Sequence, residues 1–367
     1  MIQTQKNIWL HRFAVLTALA TLALIGIGGL VTSHEAGMSV PDWPTSYGYN
    51  MFLFPISKWW HGGNVFYEHS HRLFASGVGL LTTILAVWLW VKQARAWLRW
   101  LGVAAFFTVV VQGVLGGLRV TLFKDELGIF HATLAQLFFV LVFSIALFTS
   151  KWWKSLPSPL TPLPSDGRGG QLPSGLRKLR SVFLLTTGFI LIQLILGATM
   201  RHQHAGLAIP DFPLAYGKIW PPMGAQSVAS YNQQRQEVTE THPITAAQIG
   251  LQMAHRIMAI LILASVAECA FMATRKLGWK NRLTKLAICW LGLILLQATL
   301  GALTVLKNKP ADIATAHVLV GALSLMTGVM LVLISSRILT AGVEISKIEN
   351  SASPFPSEAR HTPAPNR

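Results

Sequence analysis

Charged side chains are scarce in this sequence. Asp, Glu, Lys and Arg make up 12% of its 367 residues, whereas they make up about 25% of a typical soluble protein. Cysteine is rarer still, with only Cys269 and Cys289, and this excludes a fold stabilised by several disulfides. Both thiols fall near the same end of two apolar segments, where we expect them to be small buried residues. The shortage of charge excludes an ordinary soluble enzyme.

Long apolar segments take the place of the missing charge. Hydrophobic residues make up 52% of the chain, and the mean hydropathy is +0.48. A helix needs about 20 apolar residues to cross a lipid bilayer. Eight segments predict membrane-spanning helices: residues 9–32, 67–91, 98–119, 127–149, 180–200, 247–272, 284–305 and 312–336. The composition therefore predicts an all-α integral membrane protein surrounded by a lipid bilayer.

Basic residues are unevenly distributed along the chain. The net charge is +16, which taken alone is also typical of a nucleic-acid-binding protein. However, 20 of the 30 Lys and Arg lie in the termini, the even-numbered connections and the adjoining helix ends. Such an excess marks the cytoplasmic side of a membrane protein. We therefore predict that both termini are cytoplasmic, and we expect no nucleic-acid partner.

The second half of the sequence repeats the first. Residues 34–48, HEAGMSVPDWPTSYG, match residues 203–217, QHAGLAIPDFPLAYG. Three further pairs follow in the same order: HSHRLF with MAHRIM, QGVLGGLRV with QATLGALTV, and IFHATL with TAHVLV. The repeated unit holds four predicted spans, so both copies enter and leave the membrane on the same side. We therefore predict two tandem four-helix bundles related by a pseudo-twofold axis along the membrane normal.

The repeat also sets the predicted domain boundaries. Residues 1–154 form the first half and residues 179–338 the second. Residues 155–178 are rich in Pro, Gly and Ser, a composition typical of a flexible linker, and the charge pattern places them in the cytoplasm. Residues 339–367 are biased in a similar way, so we predict a disordered cytoplasmic tail there.

Four of the twelve histidines lie inside predicted spans. They form repeat-equivalent pairs at similar depth, His71 with His131 and His255 with His317. A lone intramembrane histidine is usually structural, but two matched pairs indicate function. No cysteine or carboxylate cluster suggests zinc, whereas two imidazoles from opposing helices suit the axial positions of a haem iron. Small residues nearby suit either a flat macrocycle or ordinary helix packing: Gly77, Gly79, Gly113, Gly116, Gly117, Gly301 and Gly321.

Polar residues beside these histidines differ between the halves. Arg72 and Arg256 each follow a span histidine, where they either pair with haem propionates or extend towards the membrane interface; the sequence leaves both open. Glu68 precedes His71 by about one helical turn, so both lie on one helix face. The second half has Gln252 at the position of Glu68. Only the first half therefore keeps a carboxylate beside its histidine.

Together these motifs resemble the haem A synthase family of cytochrome oxidase assembly factors. The resemblance is carried by GGLVTSHEAGMSVPDWPTSYG, EHSHR, FHATLAQ, AHRIMA and AHVLVGA, and it covers about residues 8–338. It implies an oxidoreductase that converts a ring methyl of haem O to the formyl group of haem A through a hydroxylated intermediate. It further implies a haem b cofactor in one half and the substrate in the other.

The resemblance implies roles for individual residues. The family's Glu-x-x-His-Arg motif falls on Glu68, His71 and Arg72. Because only the first half keeps the carboxylate, we assign that half to the substrate haem O, and the carboxylate to proton transfer or charge stabilisation. The predicted site residues are Glu68 as the catalytic group, His71 and His131 on the substrate haem iron, His255 and His317 on the haem b iron, and Arg72 and Arg256 as cofactor-binding residues.

The first outer loop departs from the family pattern. Some members carry a cysteine pair there, but residues 33–66 contain none. We expect this loop and its repeat to cap the haem sites, with Asp42 and Asp211 acting as turn residues. The remaining outer histidines are expected to be solvated, and their roles stay open: His34, His61, His69, His202, His204 and His242.

Two other functions explain part of the pattern. A non-enzymatic dihaem cytochrome b that transfers electrons would use the same histidine pairs, but it leaves the exchange of Glu68 for Gln252 unexplained. A transporter with parallel repeats would place its polar site at the midplane. The resemblance implies a multi-pass protein of the bacterial cytoplasmic membrane, with haem O synthase and an electron-transfer partner in the same process. The electron acceptor, the oxygen source and homo-oligomer formation stay open.

Overall fold

The computed structural model describes residues 8–156, 175–234 and 243–352. Most of these residues are helical, in α1 (Ile8–Ser33), α2 (Gly63–Lys92), α3 (Ala96–Leu122), α4 (Asp125–Thr149), α5 (Lys151–Ser155), α6 (Leu176–His202), α7 (Ala225–Gln234), α8 (Ala246–Leu277), α9 (Arg282–Leu306) and α10 (Ala311–Ala352). Within the described residues, eight helices are long and apolar enough to cross a membrane. Only α5 and α7 are too short. The predicted all-α membrane fold and its eight spans are confirmed.

Local caps set several helix ends. The α8 helix begins with a capping box, in which the side chains of Thr245 and Gln248 satisfy each other's backbone amides. The α9 helix begins where the side chain of Asn281 accepts a hydrogen bond from the amide of Leu283. The α10 helix continues to Ala352, beyond the predicted boundary at 338, because the first proline after that boundary is Pro354. The central part of the predicted linker and the end of the predicted tail lie outside the described residues.

Each half of the chain closes into a ring of four helices. In the first half α1 contacts α2, α2 contacts α3, α3 contacts α4, and α4 returns to α1. In the second half α6, α8, α9 and α10 are joined in the same way. Between the halves α1 contacts α10, α4 contacts α6, and α4 contacts α10. Exchanging the two halves maps these contacts onto one another, which agrees with the predicted tandem arrangement.

Burial distinguishes the helices of the interface from those of the periphery. In the most apolar 18-residue window, 56% of the residues of α4 and of α10 are buried, against 17% of those of α3 and of α9. The first pair therefore lies between the halves, whereas the second pair faces the lipid. Cys269 is buried, as predicted, but Cys289 is exposed on the peripheral α9.

The two long connections lie at the same end of the bundle, which we call the long-loop end. The first, residues 34–62, contains a small antiparallel hairpin in which β1 (Thr45–Ser46) pairs with β2 (Tyr49–Asn50). The second, residues 203–245, contains α7 and an isolated bridge between Ala215 and Lys218. The helices α2, α4, α8 and α10 all begin at this end, and α2 and α8 bond directly to the two connections.

Candidate functional site

The four span histidines lie on α2, α4, α8 and α10, near the long-loop end. Each ring packs against a glycine of the preceding long helix, at the point where any larger residue would place its Cβ atom. The distances from that point to the imidazole Cε1 are 3.1 Å for Gly28 and His71, 3.1 Å for Gly116 and His131, 3.3 Å for Gly197 and His255, and 3.1 Å for Gly301 and His317. Both halves therefore position their histidines in the same way. Two of these glycines were predicted near the site; Gly28 and Gly197 were not.

Backbone carbonyls orient one ring in each half. The Nδ1 atom of His131 lies 3.2 Å from the carbonyl oxygen of Gln112, and that of His317 lies 3.1 Å from the carbonyl oxygen of Gln297. A carbonyl oxygen only accepts, so Nδ1 carries the proton and Nε2 keeps its lone pair. In the second half, the Gln297 amide nitrogen also lies 3.4 Å from Nε2. A histidine that donates one ring N–H to a carbonyl is prepared to bind a metal through the other nitrogen.

The second ring of each pair lacks such a partner. The Nδ1 atoms of His71 and His255 are buried and accept or donate no hydrogen bond. Both histidines of each pair lie near the long-loop end of the same four-helix ring, His71 with His131 in the first half and His255 with His317 in the second. Among the described residues, no three His, Cys, Asp or Glu side chains gather closely enough to hold a metal ion. The donor set of each half, two imidazoles, fits a haem iron with two axial histidines.

Glu68 and Arg72 fasten the first long connection to α2. Glu68 is 4% exposed; its Oε2 accepts a hydrogen bond from the Val40 amide at 2.8 Å, and its Oε1 accepts one from Arg72 at 2.7 Å. The Arg72 guanidinium also donates to the carbonyl oxygens of Val40 and Asp42, both at 2.7 Å, and of Thr45 at 3.1 Å. We call this arrangement the loop clamp.

The second half has an uncharged copy of the loop clamp. Gln252 is 2% exposed; it accepts a hydrogen bond from the Ile209 amide at 2.7 Å and donates one to the Ile209 carbonyl at 3.2 Å. Arg256 donates to the carbonyl oxygens of Asp211 at 2.7 Å and Leu214 at 2.8 Å. Both arginines therefore bind loop backbone, and the roles predicted for them and for Glu68 at a haem stay predictions.

Asp42 and Asp211 shape the turns of the two long connections. Asp42 accepts hydrogen bonds from the amides of Tyr47 at 2.6 Å and Gly48 at 2.8 Å, and Asp211 does the same for Tyr216 and Gly217 at 2.7 and 2.9 Å. Burial raises the pKa of the Asp42 carboxyl group, but the hydrogen bonds from the loop outweigh it and leave the pKa below its usual value. This geometry confirms that both residues act as turn residues.

Two of the histidines that we expected to be solvated are buried. His69 is 1% exposed, because the rings of Phe54 and Trp59 from the first long connection cover it. His202 is 6% exposed, and its ring occupies the space above Gly128 at the start of α4. The expectation was wrong for these two, because the first long connection folds over His69 and α4 packs against His202. His61 and His204 are exposed, whereas His34 stacks on Tyr67 at 4.0 Å; His242 lies outside the described residues.

Two arginines that no motif highlights also lie near the first histidine pair. Arg119 on α3 lies about one helical turn after Gly116, the glycine that contacts the His131 ring. Arg201, at the end of α6, interacts electrostatically with Arg119. The signal that would have revealed them is a break in the repeat, because the motif alignments place a threonine opposite each arginine.

Comparisons with known proteins agree with this geometry. The sequence profile of the COX15-CtaA family, described as cytochrome oxidase assembly protein, matches residues 11–329. A protein of Halalkalibacterium halodurans named heme A synthase is 25% identical, over 89% of this chain and 96% of its own. Proteins of the same name from Shewanella oneidensis and Beijerinckia indica are 25% and 27% identical; they cover 87% and 82% of this chain, and 93% and 85% of their own chains.

Proposed function

Because this chain belongs to the COX15-CtaA family of cytochrome oxidase assembly proteins, we propose that it is a haem A synthase. It oxidises a ring methyl of haem O to the formyl group of haem A, which cytochrome oxidase then receives. The observation that carries this proposal is the repeated pair of imidazoles, each ring set against a glycine of the preceding long helix. Two such pairs provide one site for a resident haem and one for a substrate haem.

We assign the second half to a resident haem b and the first half to haem O. His255 and His317 hold the cofactor iron, and His71 and His131 hold the substrate iron. The bound haems supply the redox chemistry, which the side chains of the protein do not provide. The exchange of Glu68 for Gln252 supports this assignment, because a carboxylate beside only one pair gives only that half an acid–base group.

The chain's own residues hold and enclose the substrate in this proposal. The loop clamp fixes the first long connection over the beginning of α2, where it restricts access of water to the first histidine pair. Glu68 is the only carboxylate of the loop clamp. It pairs with Arg72 and accepts a hydrogen bond from the amide of Val40 in the first long connection. Any proton that this carboxylate accepts or releases changes its bond to Arg72, so acid–base work and closure of the loop are linked at this residue.

Haem extraction after co-expression with a haem O synthase tests the proposed function. The purified protein should yield haem b together with haem O and haem A, and haem A should appear only when both proteins are present. A membrane cytochrome that only transfers electrons would yield haem b alone. Cells that lack this protein should accumulate haem O and recover haem A when the gene is restored.

Reporter fusions test the proposed orientation in the bacterial cytoplasmic membrane. The excess of basic residues away from the long-loop end places both termini in the cytoplasm. A fusion between residues 155 and 178 should therefore report a cytoplasmic location, and one between residues 220 and 240 should report the opposite side. The reverse result would place both histidine pairs near the cytoplasmic surface and contradict the orientation.

A further inference from the structure

Arg119 and Arg201 both place their guanidinium groups near the long-loop end of α1, beside Gly37 and Ser33 respectively, and neither has a basic counterpart in the repeat. Arg119 corresponds to Thr304 in the second half, and Arg201 corresponds to Thr32 in the first. The two halves therefore share the histidines and the loop clamp, but each half also has one arginine whose counterpart in the other half is a threonine. The contacts of these two guanidinium groups show which site they serve.

Arg201 reaches from the second half into the first. Its guanidinium donates hydrogen bonds to the carbonyl oxygen of Gly29 and to the hydroxyl group of Ser33, both on α1. The next residue, His202, packs against Gly128 of α4. The last turn of α6 therefore forms part of the wall of the first half.

Arg119 lies beside the first histidine pair with part of its hydrogen-bonding capacity unused. A Cβ atom added to Gly37 would lie 2.9 Å from the Nη1 atom of Arg119. The guanidinium therefore occupies space that is open only because residue 37 is a glycine. Its Nε atom is buried and has no hydrogen-bond partner. Glu68 and Asp125 interact with it electrostatically, but within the described residues the salt bridge of Glu68 is with Arg72.

Two neighbouring cations in a largely apolar environment require compensation. An unpaired charge that is shielded from water destabilises the folded state, and like charges near one another add to that cost. A ligand with two carboxylates would compensate both arginines, since arginine binds carboxylates through pairs of charge-assisted hydrogen bonds. A haem carries two such carboxylates in its propionate groups.

We propose that Arg119 and Arg201 bind the propionates of the haem held by His71 and His131. The second half thus completes the substrate site of the first through Arg201. This inference rests on the proposed function. It gives the propionates a different partner from the predicted Arg72, whose guanidinium already donates to three backbone carbonyls in the loop clamp.

Titration of the purified full-length protein, with its resident haem in place, tests this proposal. The probes are ferric protohaem and its dimethyl ester, which lacks the propionate charges, and binding is followed in the Soret absorption band. The wild-type protein should bind protohaem about 10- to 100-fold more tightly than the ester. Arg119→Thr and Arg201→Thr, which copy the repeat counterparts, should each lose about tenfold of this preference and bind the ester normally.

Matched variants separate charge from packing. Arg119→Lys keeps the charge and should retain most of the preference for protohaem over the ester. Lys92→Gln removes an exposed charge at the opposite end of α2 and should leave the affinity for both probes unchanged. Equal weakening of both probes, or an undiminished preference in the threonine variants, would overturn the proposal. A wild-type protein that binds no second haem would instead refute the proposed function, and this inference with it. The content of resident haem reports whether each variant is folded.

Discussion

Replacing His255 or His317 with alanine is expected to remove most of the haem b from the purified protein, because each variant would lose one of the two imidazoles that we propose hold the haem iron. The effect should be severe for His317, whose ring is held both by Gly301 and by the carbonyl oxygen of Gln297. Replacing His71 or His131 should leave most of the haem b in place and abolish conversion of haem O. Haem per protein, measured from the absorption spectrum and by extraction, distinguishes the two classes.

His69 provides a matched control for these variants. It lies two residues before His71 and is buried, but it contacts Ser46, Phe54 and Trp59 in the first long connection. His69→Ala should therefore lower thermal stability and keep the haem content near the wild-type value. Loss of haem b from the His71 and His131 variants, with retention in the His255 and His317 variants, would exchange the roles assigned to the two halves.

The sequence predicted the helices and the histidine pairs because both depend on local signals. A run of apolar residues long enough to cross a bilayer forms a helix wherever it lies, and a repeated histidine appears in any alignment of the two halves. The glycine contacts were harder to foresee. Gly116 and Gly301 belong to the repeated motifs predicted near the site, whereas Gly28 and Gly197 are identified only by their contacts with His71 and His255.

The loop clamp could not be predicted, because it joins residues that are distant in sequence. Glu68 contacts the amide of Val40, 28 positions earlier, and the path between them includes a hairpin with no strong sequence signal. From the sequence alone, Glu68 is therefore predicted to have only a catalytic role. The buried His69 was missed for the same reason, since Phe54 and Trp59 cover it only after the connection folds back over α2.

The differences between the halves concentrate around the first histidine pair. The second half retains the histidines, their glycines and an uncharged loop clamp, so these features serve a task common to both halves; in our proposal that task is to hold a haem beneath a fixed connection. Only the first half has a carboxylate at the position of Glu68. Arg119 belongs to the first half, and Arg201 extends into it from the second. A site that only stored a cofactor would not need these added charges, whereas a site that binds and releases a charged substrate and moves protons would.

Glu68→Gln is expected to slow conversion of haem O by roughly 10²- to 10⁴-fold, the usual contribution of a positioned acid–base group. The variant copies Gln252 of the second half, whose side-chain oxygen accepts the hydrogen bond from the Ile209 amide. The loop anchor should therefore survive with Val40 as donor, and only the charge beside Arg72 is lost. Haem O should accumulate relative to haem A, while haem b content stays near the wild-type value.

The reciprocal variant, Gln252→Glu, is the control for this charge, and the stability of Glu68→Gln compared with its turnover decides between a catalytic and a mechanical role. It places a carboxylate beside Arg256, where the second half has none, and should leave conversion of haem O unchanged. If Glu68 acts only within the loop clamp, Glu68→Gln will lower the melting temperature and haem content without a specific loss of turnover, because Arg72 loses its buried partner. If it also moves protons, turnover will fall far more than any loss of melting temperature or haem b content explains. Normal turnover by Glu68→Gln would leave the carboxylate with no role beyond fastening the connection to α2.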